Sequence, residues 1–550
     1  MPMPSSDQTE TAPRRAGDGP PPPARPAGTL AAPAPAGHGP SPAGTGADII
    51  VIGGGPNGLA CATRLARGGR NVTLLEAGDR VGGGMLGWEF APGYRSPGLA
   101  MTTMGLDARV LNGMDLARHG LSFHDPLATV ALSPTGRHIT VRGGSATGGD
   151  PEAARRFATL HARLTACAAA LAPARAMTPP RLTAKGNDWL GLGKFALGIR
   201  RMGRADLREF LRLLLINVAD VADDEVGDDL LGGLLAFDAT LGAWLGPRSP
   251  NSLILYLDRL SRGAATLIPR GGTEAVATAM AAAAAAAGVT IRTGARVARI
   301  ETRNHRAAAV TLASGETLEA ARVVSALAPQ TTFRSLVGAR ALDAGFFART
   351  GHIRSRGATA RLHLALSALP DFRGADLKGR LVIAPSVDAV ERAWNPVKYG
   401  EVPESPVLEA FIPTLRDAAL APDGRHVLSA NVQFAPHAPK AGPDAARAAL
   451  LRAVRGVLET HAPGLGALVT HAELLMPYDI EARFGLPGGC WHGAELSVEQ
   501  MFFLRPIREA AGYATPLPGL WLAGAGSHPG GGIEGAAGWN AAERILKEAA

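Results

Sequence analysis

The sequence predicts an α/β protein made of two domains that are each discontinuous along the chain. Short apolar strands alternate with helices near residue 50 and again after residue 266, whereas residues 151–265 consist of long helical patterns. The chain has 550 residues, more than a single domain of about 150 residues would need. Hydrophobic residues make up 46% and charged residues 19%, which is typical of a globular protein.

The first 46 residues differ in composition from the rest of the chain. They hold 12 of the 42 prolines and no aromatic residue, so we expect a disordered tail that cannot bury a core. The tail has no continuous apolar segment, and its acidic residues and the run Pro20–Pro23 argue against secretory or mitochondrial targeting. A docking arm for a partner is an alternative to a plain tail.

Charge and cysteine content exclude several classes of protein. The net charge of +8 is dispersed, because the tail is neutral, so we expect no nucleic-acid partner. Cys61, Cys167 and Cys490 lie far apart, which excludes a disulfide scaffold, a cysteine-based zinc site and a redox dithiol. No metal is expected, and a reducing compartment, the cytoplasm, is predicted. The apolar segment Ala275–Ile291 is too short to span a bilayer, while peripheral membrane contact and oligomeric state are left open.

The first strand, helix and strand are predicted at Asp48–Ile52, Gly58–Arg67 and Asn71–Glu76. Between the first two lies Gly53–Gly58 (GGGPNG), which fits the G-x-G-x-x-G pattern. Its glycines allow a sharp turn and a close approach of the backbone to a pyrophosphate at the helix N-terminus. Glu76 ends the next strand and is placed to accept both ribose hydroxyls of an adenosine. Together these features predict a Rossmann-type dinucleotide site.

The remaining elements follow the same alternation. In chain order, the patterns predict a helix at Asp206–Val218, a strand at Val289–Arg292, a hairpin turn at Ser314-Gly315, strands at Arg322–Ser325, Ala360–Leu366 and Val427–Phe434, a helix at Pro443–His461, a strand at Leu520–Ala523 and a last helix from near Ile533. These elements give a cofactor domain at 47–150, 266–335 and 481–550 and a substrate domain at 151–265 and 336–480.

A second motif, Glu76–Gly84, identifies the kind of dinucleotide. A strand-end glutamate followed by Arg-x-Gly-Gly resembles the second fingerprint of the FAD-binding amine oxidase and phytoene desaturase superfamily. The resemblance implies that this loop lies along the flavin diphosphate and ribitol, which changes the expected cofactor from NAD to FAD. Only one complete dinucleotide-binding pattern is present, so a bound second nicotinamide is not expected.

A third motif, Pro518–Asn540, is a strand, a glycine turn and a helix. It resembles the C-terminal flavin motif of carotenoid desaturases, in which a helix N-terminus faces the N1/C2=O edge of the ring. Four further segments fit the phytoene dehydrogenase-like group: Ile268–Gly272, Gly294–Val297, Val323–Ala326 and His492–Pro506. The cofactor contacts that the motifs and this resemblance imply are Gly53, Gly55, Pro56, Asn57, Gly58, Glu76, Ala77, Arg80, Gly82, Gly83, Gly84, Val297, Ser325, Gly524, Ala525, Gly535 and Ala536.

Two histidines in these motifs, His528 and His492, are the candidate catalytic residues on the substrate side of the flavin. Of their neighbours, Glu534 is expected to cap a helix, Arg505 to form a structural ion pair and Cys490 to be a bystander thiol. The apolar residues Phe237, Trp244 and Leu245 fit either a tunnel for a lipophilic substrate or ordinary core.

The resemblance implies a phytoene dehydrogenase-like FAD-dependent oxidoreductase with an amine oxidase-like, two-domain architecture. It would oxidise or desaturate a largely apolar substrate by hydride transfer to the flavin, and oxygen, a quinone or another acceptor would reoxidise the flavin. Two alternatives stay open: a flavoenzyme reduced by NAD(P)H, and a flavin-binding regulatory protein with little turnover.

Overall fold

A computed structural model of the chain describes residues 47–548, except 104–105, 180–192, 194, 198–199, 201–202 and 264. The predicted tail, residues 1–46, lies outside the described residues. Within the described ranges, none of the helices combines the length and apolarity needed to cross a bilayer.

The first sheet is mainly parallel and carries the N-terminal glycine motif. Its strand order is β8-β2-β1-β11-β10-β9, and β17 extends the same sheet by pairing with the end of β11. Its strands are β1 Ala47–Ile52, β2 Val72–Leu75, β8 Thr290–Arg292, β9 Val297–Arg303, β10 Arg306–Leu312, β11 Thr317–Ser325 and β17 Leu520–Leu522. β10 and β11 form the hairpin predicted at Ser314-Gly315.

The second sheet is largely antiparallel, in the order β16-β12-β15-β14-β13-β5-β6-β7. Its strands are β5 Thr129–Ala131, β6 Ile139–Arg142, β7 Ser145–Thr147, β12 Thr359–Leu366, β13 Arg380–Ile383, β14 Val407–Phe411, β15 His426–Gln433 and β16 Val469–Leu475; a separate hairpin is formed by β3 Glu89–Ala91 and β4 Tyr94–Arg95. β5 to β7 belong to this sheet, although 47–150 was predicted as part of the cofactor domain. Such short strands carry no sequence signal for which sheet they join; the other predicted domain boundaries stay predictions.

The helices cover the sheets and fill the space between them. They are α1 Pro56–Arg67, α2 Ala108–Gly113, α3 Pro151–Ala176, α4 Arg204–Leu215, α5 Val218–Glu225, α6 Asp229–Thr240, α7 Leu253–Arg262, α8 Gly272–Ala286, α9 Ala344–Thr350, α10 Val387–Trp394, α11 Pro443–His461, α12 Leu465–Leu468, α13 Pro477–Phe484 and α14 Ala536–Glu548. α11 begins and ends at its predicted residues.

Two predicted helices differ from the structure. The helix expected over 206–218 is two helices, because Asn217 is extended and its side chain accepts the Asp220 N–H as the N-cap of α5. The last helix begins at Ala536 and not near Ile533, since Gly532 and Gly535 adopt φ of 133° and 72°, outside the helical region.

The parallel strands of the first sheet end at a common edge. Gly53 follows β1, Glu76 follows β2 and Ala523 follows β17. In parallel α/β sheets ligands bind at the carboxyl edge, so the three motifs meet where a dinucleotide would lie.

The central strands of the second sheet, β12 to β15, have one apolar and one polar face, and both faces are buried. Alternate residues such as Leu362, Leu364 and Leu408 pack under α11 in a hydrophobic core. The residues between them on β12, Thr359, Arg361 and His363, project from the opposite face and are also buried. Burial of so many polar groups on one face marks it as the wall of a site.

Candidate functional site

The glycines of the first motif have the geometry that close approach requires. A Cβ on Gly58 would lie 1.8 Å from the Gly53 carbonyl oxygen, so α1 can pack on β1 only if this residue is glycine. A Cβ on Gly55 would meet nothing within 4 Å, and no side chain caps α1. The N-terminus of α1, with Pro56 in its first turn, therefore faces open space with free backbone N–H groups, as a phosphate site does.

Glu76 connects the first two motifs. Its carboxylate accepts the Gly54 and Gly78 N–H groups, each at 2.7 Å. The backbone at Gly294 and Ala295, just before Val297, bonds to the carbonyls of Gly78 and Glu76. A carboxylate accepts about four hydrogen bonds, so two positions on Glu76 stay available for ribose hydroxyls.

The second glycine loop lies against the first. Gly82 donates to the Gly54 carbonyl at 2.8 Å, while Gly83 is exposed and Gly84 half-buried. Ala77 is exposed, and the Arg80 guanidinium forms an ion pair with Glu274 at the start of α8. The two loops are thus joined by a backbone hydrogen bond, with Ala77 and Gly83 accessible beside it.

Two of the implied contacts have structural roles in addition. The Ser325 hydroxyl is buried and bonds to the Thr332 hydroxyl at 2.7 Å, so only its backbone could face a cofactor. Asn57 is buried, and its Oδ1 accepts the Gly538 N–H, which joins the N-termini of α1 and α14. A Cβ on Gly538 would lie 1.8 Å from the Asn57 carbonyl oxygen, so these two helix ends touch.

The C-terminal glycine turn packs on the end of β11. A Cβ on Gly524 would lie 2.5 Å from the Ala326 carbonyl oxygen, and Ala525 is half-buried beside it. Gly535 leads into Ala536, the first residue of α14. The turn therefore places a second helix N-terminus at the edge where α1 begins.

His492 keeps one ring nitrogen unpaired beside this turn. The Trp491 indole N–H, which can only donate, bonds to His492 Nε2 at 2.9 Å, so the neutral ring carries its proton on Nδ1. Nδ1 is buried and has no hydrogen-bond partner among the described residues. Burial, with Arg262 and Arg505 nearby, lowers the pKa of His492 to about 3.

His528 is fixed by the C-terminal end of α3. Its Nε2 donates to the Ala174 carbonyl at 2.7 Å, which leaves a buried Nδ1 acceptor without a partner in the described chain. Its ring lies edge-on to Phe502, with 5.2 Å between centroids. Burial is the main cause that lowers its pKa to about 3.

The two lowered histidine pKa values predict acid sensitivity. Both rings are neutral when folded but take up a proton near pH 6.5 when unfolded, so stability is full above that pH and falls toward pH 3. We expect each histidine to lower the free energy of unfolding by about 1.4 kcal/mol for each unit by which the pH falls between 6.5 and 3. Urea unfolding at pH 7.0 and 5.5 measures it, and His528→Asn should have a shallower pH dependence than wild type. Equal slopes would contradict the neutral assignment.

Arg505 does not form the predicted ion pair. It is 0% exposed, and among the described residues it has no carboxylate partner. Burial lowers its pKa to about 10, so it is charged at neutral pH. Its guanidinium donates to six backbone carbonyls at 2.8–3.3 Å, those of His492, Ala494, Glu495, Gln500, Ala525 and Ser527. It holds the segment after Cys490 against the C-terminal turn.

Glu534 belongs to a buried ion quartet and does not cap a helix. The quartet consists of Arg175 on α3, Asp258 and Arg262 on α7, and Glu534, with each side chain at most 11% exposed. Asp258 bonds to Arg175 at 3.0 Å and to Arg262 at 2.6 Å, and both arginines contact Glu534. Arg262 also donates to the Gly531 carbonyl. The quartet ties the glycine turn to two helices; its local sequence signal is the i,i+4 spacing of Asp258 and Arg262 on α7.

Arg361, on the polar face of the second sheet, is a further buried charged residue that no sequence motif indicated. It is 0% exposed and donates to Asn431 Oδ1 and to the Gly98 carbonyl, both at 3.0 Å. Its Nε has no partner in the described part of the chain, and burial lowers its pKa to about 9. Because Gly98 follows the second glycine loop, Arg361 joins that loop to the second sheet.

The cysteines offer no redox pair. All three are free and buried, and burial raises the pKa of Cys490 to about 12. Such thiols are unreactive at neutral pH. Phe237 is fully buried in a core cluster with Trp244 packed against it, so Phe237 is core.

The fold and the converging motifs define a dinucleotide-binding oxidoreductase. Its first sheet carries the dinucleotide motifs, and the buried polar face of its second sheet forms a wall of the site. The sequence profile of the family "flavin containing amine oxidoreductase" matches residues 214–546, and that of the NAD(P)-binding Rossmann-like domain matches residues 51–113. The chain belongs to the flavin-containing amine oxidoreductase family.

Relatives and solved structures agree with this assignment. The chain is 29% identical over 544 residues to pyridine nucleotide-disulfide oxidoreductase domain-containing protein 2 of Mus musculus, covering 91% of this chain and 93% of that one. It is 30% identical over 529 residues to hydroxyneurosporene desaturase of Cereibacter sphaeroides, covering 91% and 98%. Cyclohexylamine oxidase from Brevibacterium oxydans has the same fold, with a TM-score of 0.56, 16% identity and coverage of 92% and 100%.

These comparisons confirm the fold, the cofactor and the enzyme class expected from the sequence. The chain is an FAD-dependent oxidoreductase of the amine oxidase superfamily with desaturase relatives.

Proposed function

We propose that this enzyme oxidises or desaturates a largely apolar organic substrate by hydride transfer to FAD, and that oxygen, a quinone or another acceptor reoxidises the flavin. The observation that carries the proposal is the way two histidines are held beside the C-terminal turn: the Trp491 indole N–H donates to His492 Nε2, and His528 Nε2 bonds to the Ala174 carbonyl. A general base works best with a pKa near the operating pH, and both values are about 3. Hydride removal from a C–H bond needs no strong base; in a desaturation the cation left behind is strongly acidic and loses its proton to solvent water. The similarity to a desaturase supports this reaction.

The residues present fit FAD, and we assign them by position. Glu76 and the backbone before Val297 would hold the adenosine, and the two glycine loops with the N-terminus of α1 would hold the diphosphate. The C-terminal turn and α14 would hold the ring. In full, the proposed contacts are Gly53, Gly55, Pro56, Asn57, Gly58, Glu76, Ala77, Arg80, Gly82, Gly83, Gly84, Val297, the backbone of Ser325, Gly524, Ala525, Gly535 and Ala536.

Bound FAD supplies an acceptor for two electrons and a proton. The N-terminus of α14 carries a partial positive charge and would stabilise negative charge on a group bound beside it. Because the helix is already in place, its backbone does not need to reorganise during the reaction. His492 offers its unpaired Nδ1–H as a hydrogen-bond donor, and His528 offers an unpaired Nδ1 acceptor. Both would orient ligand groups and would not change charge during turnover.

Anaerobic bleaching of the flavin absorbance tests the reaction. Holoenzyme is mixed with long-chain alkenes, polyenes, lipophilic amines and NAD(P)H, and the first-order bleaching rate is recorded. We expect a long-chain apolar compound to bleach the flavin. Bleaching by NAD(P)H alone would assign a nicotinamide-reduced enzyme, and no bleaching by any compound would favour a regulatory flavoprotein; either result overturns the proposal.

Glu76→Gln tests the adenosine contact. Loss of one charged acceptor for a ribose hydroxyl, worth about 1.5–3 kcal/mol, should raise the dissociation constant of FAD at least about tenfold. Fluorescence of released FAD during dilution measures it. Glu319→Gln, an exposed glutamate on β11 of the same sheet, is the matched control and should retain FAD. Unchanged retention in Glu76→Gln would refute the ribose role.

A further inference from the structure

A cavity of about 500 Å³ opens between the segment that follows the second glycine loop and the second sheet. Its volume lies within the range of small-molecule sites, about 300–1,000 Å³. Pro97 and Met101 line it; they flank the stretch in which Leu99 and Ala100 donate to the Gly84 carbonyl. Phe411 of β14 also lines it. The cavity therefore begins next to the proposed flavin groove and the polar face of the second sheet.

One side of the cavity is apolar. Met101 and Phe411 are 7% and 4% exposed and form a small buried cluster with Leu127, against which Ile268 packs. Leu377, Ile412 and Leu420 also line the cavity. An alkyl chain would gain about 25 cal/mol for each Å² of apolar surface that this wall removes from water.

The lining also carries one more positive than negative side chain. Among the lining residues, the cations are Arg95, Lys378 and Arg416 and the carboxylates are Glu274 and Asp417, which leaves one positive charge. Glu274 already pairs with Arg80 and contacts Arg95 at 3.9 Å. Arg416 and Lys378 are the lining cations for which no ion pair is formed among the described residues.

Arg416 is the cation best placed to hold a ligand. It is half-buried, and its guanidinium donates to the Lys378 carbonyl at 2.7 Å; no carboxylate among the described residues forms an ion pair with it. His124, also in the lining, has its pKa lowered by burial first and then by Arg270 and Arg416, against the opposing effect of Asp125. Asp376 and Asp125 are near enough to act on the pKa of Arg416, but neither forms an ion pair with it, so the half-buried guanidinium still has N–H donors to offer.

We propose that this cavity binds a long-chain carboxylic acid, with its chain against Met101 and Phe411 and its carboxylate on Arg416. A single excess positive charge matches a monoanion better than a phosphate dianion. That the bound acid is also the compound oxidised by the flavin rests on the proposed function. The binding site itself is inferred from the cavity and its lining residues.

Fluorescence titration of the holoenzyme with cis-parinaric acid and with its methyl ester tests the site. We expect the acid to bind at least tenfold more tightly than the ester, since the ester has no charge for Arg416. Arg416→Gln should weaken binding of the acid about tenfold and leave the ester unchanged, as expected for one lost charge-assisted hydrogen bond. Arg416→Lys should retain most of the affinity for the acid.

Arg455→Gln is the matched control, because Arg455 is exposed on α11, behind the apolar face of the second sheet. Equal affinities for acid and ester, or wild-type binding in Arg416→Gln, would overturn the assignment. Tighter displacement of the probe by hexadecyl phosphate than by hexadecanoate would overturn the choice of a monoanion.

The two proposals fail in different ways. If the acid binds as expected but no long-chain compound bleaches the flavin, the cavity assignment stands and the proposed function falls. If long-chain compounds bleach the flavin equally well whatever their head group and in Arg416→Gln, the proposed function stands and the cavity assignment falls.

Discussion

Arg505→Gln is expected to lower the free energy of unfolding by at least about 4 kcal/mol and to release FAD. The guanidinium donates to six backbone carbonyls in the buried junction between the segment after Cys490 and the C-terminal turn. Glutamine has only two N–H donors, and each buried polar group left unpaired costs about 1–3 kcal/mol. Urea unfolding followed by tryptophan fluorescence measures the loss.

Two variants separate this role from a general effect of charge. Arg505→Lys keeps the charge but has three donors, so we expect an intermediate loss. Arg508→Gln removes a nearby exposed arginine and should change stability by less than about 1 kcal/mol. A wild-type urea midpoint in Arg505→Gln would show that the carbonyls find other partners.

Glu534→Gln is expected to destabilise the protein by about 3–5 kcal/mol, the usual effect of breaking a buried ion pair. Arg175 and Arg262 would then share only Asp258, and a buried positive charge would stay uncompensated. Burial opposes ionisation of Asp258, but Arg262 and Arg175 outweigh it and lower its pKa. The contribution of Asp258 is therefore full above its normal pKa near 4 and is lost as the pH falls below it.

A double-mutant cycle tests the quartet as a unit. Combining Arg262→Gln with Glu534→Gln restores charge balance, so the double variant should lose about 1–3 kcal/mol less than the sum of the single changes. Glu152→Gln, in the exposed pair with Arg155, should cost less than about 1 kcal/mol. Additive losses at Arg262 and Glu534 would mean that the two side chains act independently.

Much of the cofactor edge was predictable because its determinants are local. A glycine turn between a strand and a helix, and an acidic residue at the next strand end, are set by contacts within about 25 residues, and the structure places Gly53–Gly58 and Glu76 together. The extent of α11, Pro443–His461, was predictable for the same reason, since its apolar period and its first-turn proline lie within the helix.

Helix ends and sheet membership were harder to predict. The break at Asn217 depends on one side-chain cap, and the start of α14 depends on the conformations of Gly532 and Gly535, which either helix or turn patterns allow. The prediction of an ion pair for Arg505 was wrong. The local sequence, an arginine before a proline, does not indicate whether carboxylates or backbone carbonyls will surround the side chain. Nothing in the pattern of Thr129–Ala131 indicates which sheet it joins.

The identity of the cofactor and the class of enzyme follow from motifs that the chain carries in short, contiguous segments. The surroundings of the reacting centre do not, because they join residues hundreds of positions apart: Arg175 and Glu534, Gly98 and Arg361, Met101 and Phe411. Electrostatic and desolvation energies depend on distance in space and on burial, and neither is encoded in sequence spacing. Only the folded structure brings these groups together. The same packing buries the two histidines, which keeps them neutral, and it forms the cavity.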